Sequence, residues 1–257
     1  MEKLIWTDED KFFITTFNKR LYDDYAHKFL QTYAETNQTI KMICYVEEDY
    51  QSERLYNLYP DYKGITYVNI LKEMPSLVSF LERHKDKVWT DDSDFLQNAV
   101  RFSYKVFAQY HASKLAGQLG KKFMWLDADN IFIKQIPDNF MDTFIPDDKF
   151  ITFYGRDHYT ECGVIGFNCK DKDSKPFFDL YLSHYTEDKI FNMVNKTDCH
   201  ALDNTRNMIK PRERNKADGH GGHIIARDKE INPYIDHKKG KRKYKDNSPE
   251  WVKQTND

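Results

Sequence analysis

The sequence has no excess of charge of either sign, no long hydrophobic run and no paired cysteines, and each absence removes a class of function. Lys and Arg total 39 against 41 Asp and Glu, a formal net charge of −2, which argues against binding nucleic acid through an overall positive field. Any basic function must be local. Nowhere is there a run of about 18 apolar residues, the least a membrane-spanning helix requires. Cys44, Cys162, Cys169 and Cys199 form no CxxC pair and show no zinc-type spacing to histidine, so they read as reduced thiols. The opening MEKLIWTDEDKFF puts acidic residues where a signal peptide needs an uninterrupted apolar stretch, and the expectation is a cytoplasmic protein. The sequons at Asn37 and Asn195 carry no weight without an export signal. No internal repeat or low-complexity linker divides the 257 residues, enough for one substantial core, so a single domain over 1–257 is expected.

What is present is an alternation of apolar runs and helical periodicity. KFFITTF at 11–17 and IKMICYV at 40–46 are β-branched and aromatic, with a helical pattern from Leu21 to Glu35 between them, which makes a βαβ unit. A strand at 65–71 and helices near 75–85 and 97–118 follow. Phe123 to Leu126, uncharged and flanked by lysines, fits a central strand covered on both faces. Strands at 150–154 and 162–168 and helices near 174–185 and 187–194 complete the pattern. Beyond Met208 the chain turns polar and basic, and KPRERNKADGHGGH at 210–223 has the glycine and charge content of a mobile loop or lid. The fold class is therefore α/β, a mostly parallel sheet with helices on both faces and a ligand site at the carboxyl ends of the strands.

Four DxD patterns occur, Asp8/Asp10, Asp92/Asp94, Asp127/Asp129 and Asp171/Asp173, so the pattern alone is weak. Only Asp127/Asp129 directly follows a strongly apolar strand, where an open α/β sheet presents ligands. In an extended segment, residues two apart point to one side, and two carboxylates so placed suit a hard cation such as Mn²⁺ or Mg²⁺. The competing account is that the pair caps a turn between two strands. HKKGKRK at 237–243 is the second signal: His237 as a third metal ligand, Lys238, Lys241 or Lys243 on phosphate oxygens, and Gly240 permitting close backbone approach. A basic run is also the ordinary composition of a solvated tail. Arg101 and Lys105, four apart on one helix face, can reach a phosphate together or simply face solvent.

In this order, ITTFN, a helix carrying Arg101, WLDADN, TECGVIGFN and HKKG resemble the GT-A (Rossmann-like) class of glycosyltransferases. The likeness is greatest to the retaining, glycogenin-like and galactosyltransferase-like enzymes of family eight, and it runs over most of the chain. Bacterial and phage glycosyltransferase-like proteins that combine WLDAD, a YxECG-like segment and a terminal HxKGxRK are closer still. The resemblance implies that Asp127, Asp129 and His237 bind the metal, that Thr15, Thr16 and Phe17 meet the nucleotide, and that Lys238 or Lys243 is the lysine beside the histidine. The segment 230–257 is implied to close the donor site. Glu161 falls where family eight has the asparagine of an NAG or NSG triplet that contacts the donor sugar, a departure that leaves the donor open. TDCHALD at 197–203 lies near the family's DQD-like segment, making Asp198 a candidate transition-state stabiliser and Asp203 its competitor; either can instead cap a helix beginning near His200.

The resemblance implies transfer of a hexose from a nucleoside diphosphate sugar, UDP-linked, to a hydroxyl acceptor, with Mn²⁺ or Mg²⁺ as cofactor and retention of configuration. A sugar nucleotidyltransferase would need a glycine-rich loop after its first strand, and here that strand runs into TTFNKR. A nucleic-acid-binding module would leave Asp127 and Asp129 unexplained.

Overall fold

The computed structural model describes residues 11–48, 58–87, 92–119, 121–217, 219 and 223–240. Its main sheet has seven strands. Three run outward from the middle, β1 (Lys11–Phe17), β2 (Lys41–Val46) and β3 (Ile65–Asn69); the chain then crosses back to β4 (Lys122–Leu126) on the other side of β1. Beyond β4 lie β7 (Glu161–Asn168), β6 (Ile151–Tyr154) and β8 (Glu213–Asn215). Every pairing is parallel except those of β7, which runs against both β4 and β6. A two-stranded ribbon, β5 (Asn130–Phe132) with β9 (Ile235–His237), stands apart from the main sheet.

The apolar runs are continuous because both faces of the sheet are covered. Phe12, Ile14, Phe123 and Trp125 face one layer, built by helices Pro75–Arg83, Ala99–Leu119, Ser174–Thr186 and Asp198–Ile209. Phe13, Phe17, Met124 and Leu126 face the other, built by helix His27–Glu35, the β5–β9 ribbon and helix Phe140–Phe144. This is the mostly parallel α/β sheet that the alternation of elements implies. The strand order reverses between β1 and β4, and in such a sheet the crevice at the reversal is where ligands bind. Among the described residues, no helix is long and apolar enough to cross a membrane.

Several element boundaries differ from expectation, each for a local reason. The strand expected to reach residue 71 stops at Asn69, whose side chain accepts from Leu71 N at 3.0 Å and starts helix Ile70–Glu73. The helix expected over 187–194 is one 3₁₀ turn, Lys189–Asn192, because Asp188 adopts a left-handed conformation (φ 57°) and its carboxylate binds Arg83 and His84. The helix expected near His200 starts at Asp198, behind an N-cap at Thr197. The segment expected to be a mobile lid contains the edge strand β8, held by Arg214 on the Phe144 carbonyl at 3.0 Å and on Glu230 at 2.9 Å. Of that segment, residues 218 and 220–222 lie outside the described residues, as do Asp8, Asp10, Lys241, Lys243 and the rest of 241–257.

β7 is anchored through Phe167, whose ring packs 5.0 Å from those of Phe123 and Phe178 and 5.9 Å from that of Phe150. Phe167→Ala is expected to cost about 3–5 kcal/mol of stability. In urea titration this reads as a lower midpoint with unchanged slope; a midpoint like that of the parent would contradict the packing role.

Candidate functional site

Asp127 follows the last residue of β4, and its amide donates to Gly163 O of β7 at 2.9 Å. The chain does not stay extended there. Asn130 N returns to Asp127 O at 3.0 Å and Asn130 Nδ2 reaches the same carbonyl at 2.6 Å, so residues 127–130 form a turn. The two carboxylates therefore converge through a turn and not through the two-residue alternation of a strand. The turn also starts β5, whose Asn130 pairs with His237 of β9, while Lys238 N donates to Asp129 O at 3.1 Å. This puts His237 Nε2 at 3.2 Å from Asp129 Oδ1. One ligand-type atom from each of Asp127, Asp129 and His237 lies within 4.8 Å of the others. Gly163 makes the approach possible, since a Cβ there would sit 2.4 Å from His237 Cε1.

The cation at the centre of the site is Lys105, on helix Ala99–Leu119. Its Nζ reaches Asp127 Oδ1 at 2.9 Å, Asp198 Oδ2 at 3.0 Å and the Cys162 carbonyl at 2.6 Å, and lies 4.8 Å from the centre of the Trp125 ring. Burial works against its charge, but Asp127 and Asp198 outweigh it and hold the pKa well above the ordinary lysine value. Trp125 Nε1 also donates to Asp127 Oδ1, at 2.7 Å. Glu161, at the start of β7, is held by Arg156 at 2.9 Å and by Lys239. Its burial would raise its pKa, but His237, Lys239 and Arg156 keep it below the ordinary value. His237 is raised, its own burial being outweighed by Asp129.

These groups open on a cavity of about 1140 Å³. Of the residues singled out in the sequence, Asp127, Asp129, His237, Thr16, Arg101, Lys105, Glu161, Asp198 and Gly240 lie on its wall. Thr15 and Phe17 do not: both are fully buried, Phe17 in the layer on the opposite face of β1 from Ile14. Asp203 is also off the wall, engaged by Thr160 N at 2.9 Å and Arg206 Nη1 at 2.7 Å. Lys238 is buried off the wall, while Lys239 is on it. Asp171/Asp173 begins a helix beyond the far end of β7: Asp171 Oδ1 accepts from Asp173 N at 2.9 Å and its carboxylate binds Arg212.

Sequence reasoning missed Tyr25, Glu47, Arg156 and Lys239, all on the wall. Tyr25 sits in a π-helical turn, Tyr22–Ala26, and its pKa is raised by burial and then by Asp129 and Asp127. Glu47 follows β2, takes Thr16 Oγ1 at 3.2 Å and Asn18 Nδ2 at 3.1 Å, and is pushed up to about 7 by burial. Its position just past a parallel strand was the available signal. For Lys239 the sequence offered no signal, because the three-residue strand β9 that orders this segment ends at His237.

No protein-family model matches the chain, and no curated protein matches it in sequence. Among solved structures, it is similar to mouse xyloside xylosyltransferase 1 in its apo form, at 12% identity and TM-score 0.49, over 80% of this chain and 85% of that one. It is similar to the glycosyltransferase GlyE of Streptococcus pneumoniae at 13% identity and TM-score 0.48, over 80% of this chain and 45% of that one, so it spans under half of that protein. The galactosyltransferase LgtC, in complex with donor and acceptor sugar analogues, aligns at 15% identity and TM-score 0.42, over 75% and 69%. What the cavity does must follow from its own side chains.

Proposed function

We propose that the chain is a divalent-cation-dependent glycosyltransferase that moves a hexose from a nucleoside diphosphate sugar, UDP-linked, to a hydroxyl acceptor. The observation that carries this reading is the convergence of Asp127, Asp129 and His237 at the strand-order reversal, on the wall of a cavity large enough for a nucleotide sugar beside an acceptor. Two carboxylates and an imidazole are a donor set that suits Mn²⁺ or Mg²⁺. Asp127 would offer Oδ2, since Lys105 and Trp125 both engage Oδ1. When bound there, the ion would supply positive charge that offsets the negative charge of the departing diphosphate.

The chain's own groups divide the remaining work. Lys105 Nζ donates to Asp127 Oδ1 and to the Cys162 carbonyl and is ion-paired with Asp198 Oδ2 at 3.0 Å, so its charge is taken up by groups of the chain itself. Lys105 is therefore a positioning residue for Asp127 and Asp198 and does not reach for phosphate. Arg101, on the same helix and on the cavity wall, is the guanidinium assigned to phosphate oxygens. Gly240, with φ of 56°, gives a backbone position without a side chain beside them. Asp198, buried and paired with Lys105, stabilises positive charge developing at the sugar carbon as its bond to the diphosphate breaks. Glu161 is committed to Arg156 and Lys239 and holds the 237–240 segment against β7. Retention of configuration is the outcome that the family-eight resemblance implies.

Lys105→Met is expected to leave the Asp127 and Asp198 carboxylates uncompensated and to lower stability by about 3–5 kcal/mol. Chemical denaturation checks this, and a loss under 1 kcal/mol would contradict the role, the size of an ordinary surface pair.

Calorimetric titration tests the reading as a whole. UDP is expected to bind more tightly with Mn²⁺ than without it, and more tightly than GDP. Asp127→Asn and Asp129→Asn should abolish the Mn²⁺ dependence, and Gly163→Ala, which pushes His237 aside, should weaken it about 10–100-fold, all with the far-ultraviolet dichroism of the parent. Mn²⁺-dependent UDP binding retained in both aspartate variants would overturn the reading, and preference for GDP with no turnover of UDP-sugars would overturn the donor.

A further inference from the structure

A second group of metal-ligating atoms adjoins the first. β7 begins Glu161–Cys162–Gly163, and helix Asp198–Ile209 begins with Asp198 and Cys199. The two thiol sulfurs and one Asp198 carboxylate oxygen lie within 4.8 Å of one another. Cys162 is buried and Cys199 partly so, and all three residues are on the cavity wall. The sulfurs are otherwise weakly engaged, Cys162 with the Thr160 carbonyl at 3.6 Å and Cys199 with Asp198 Oδ1 at 3.7 Å. We propose that Cys162, Cys199 and Asp198 form a cation site for one thiophilic divalent ion, zinc or cadmium, distinct from Asp127, Asp129 and His237.

The chemistry separates the two sites by softness. Two sulfurs select a thiophilic ion over Mg²⁺ or Mn²⁺, whereas the carboxylate pair prefers the hard ions. Bonds of about 2.3 Å to sulfur and about 2.0–2.2 Å to oxygen hold tetrahedral ligand atoms roughly 3.5–3.8 Å apart, so atoms within 4.8 Å of one another need to close by at most about 1.3 Å. The fourth position would face the cavity. Binding exchanges one M²⁺ for two thiol protons, which go to solvent. Net charge is unchanged, and the ion pairs of Lys105 are not opposed. Cys199 lies in the first turn of a twelve-residue helix, whose positive end favours the thiolate; the Cys162 hydrogen bond acts the same way, but burial and Asp198 outweigh it and raise the thiol pKa. Burial holds the Cys162 thiol pKa well above its ordinary value, so the ion must displace that proton and its binding strengthens as pH rises.

The test uses the full chain, reduced and free of nucleotide, titrated with Cd²⁺ alone and followed by the ultraviolet charge-transfer absorption of cadmium thiolates. The expected result is a rise that saturates at one equivalent, with two protons released per ion in weakly buffered solution. It should persist in Cys44→Ser and in Asp129→Asn, and be lost, or at least tenfold weaker, in Cys199→Ser and Cys162→Ser. Cys199 is the less buried of the two, so Cys199→Ser decides the matter should Cys162→Ser not fold. Absence of the band in the parent chain, or an undiminished band in folded Cys199→Ser, would overturn the proposal. With no sugar nucleotide present, neither result bears on the transferase reading.

Discussion

The buried ammonium of Lys105 is the constraint from which the rest of the site follows. A buried charge is tolerated only when it is paired, and here the partners come from three separate parts of the chain. They are Asp127 after β4, the Cys162 carbonyl of β7 and Asp198 at the start of a helix. Satisfying one ammonium thus sets helix Ala99–Leu119, the adjoining ends of the interior strands β4 and β7 and helix Asp198–Ile209 relative to one another. It also orients Asp127, since Trp125 and Lys105 both bind its Oδ1. The carboxylate is fixed before any ligand arrives, which is what an electrostatic site needs if it is not to reorganise on binding.

The reversed direction of β7 completes the arrangement. The parallel strands β1, β2 and β4 bring their carboxyl ends to the cavity, while β7, running the other way, brings its amino end, so Glu161, Cys162 and Gly163 arrive beside Asp127. Gly163 has no side chain to obstruct the ring, and His237 fills that space from the β5–β9 ribbon. Glu161 binds Lys239 from the same segment. A strand, a turn and a three-residue ribbon thereby bring His237 beside Asp127 and Asp129, from which it is far removed in sequence.

Much of this was legible in the residues. β1, β4 and β7 are apolar almost throughout because they are covered on both faces, and that coverage made Asp127/Asp129 stand out among four DxD patterns. The short strands β5, β8 and β9 were not legible: each has three residues, and β8 is Glu-Arg-Asn, whose first two side chains serve ion pairs and whose Asn215 accepts from Gly155 N, instead of building a core. Without β9, nothing in HKKG distinguished Lys238 from Lys239. The facing of ITTFN was likewise hidden, because Thr15 and Thr16 are alike in composition and only the pleat separates the buried one from the one on the cavity wall. Asp198 and Asp203 were separable only by their partners, Lys105 for one and the Thr160–Arg206 pair for the other.

The central claim is that Asp127, Asp129 and His237 hold one hard divalent ion on the cavity wall. Anomalous X-ray diffraction from crystals grown with Mn²⁺ and UDP tests it most directly. The account predicts a single manganese peak bonded to carboxylate oxygens of Asp127 and Asp129 and to an imidazole nitrogen of His237, with diphosphate oxygens completing the shell. Nucleotide density in the cavity with no manganese peak among these three residues, or with the peak elsewhere, would contradict it.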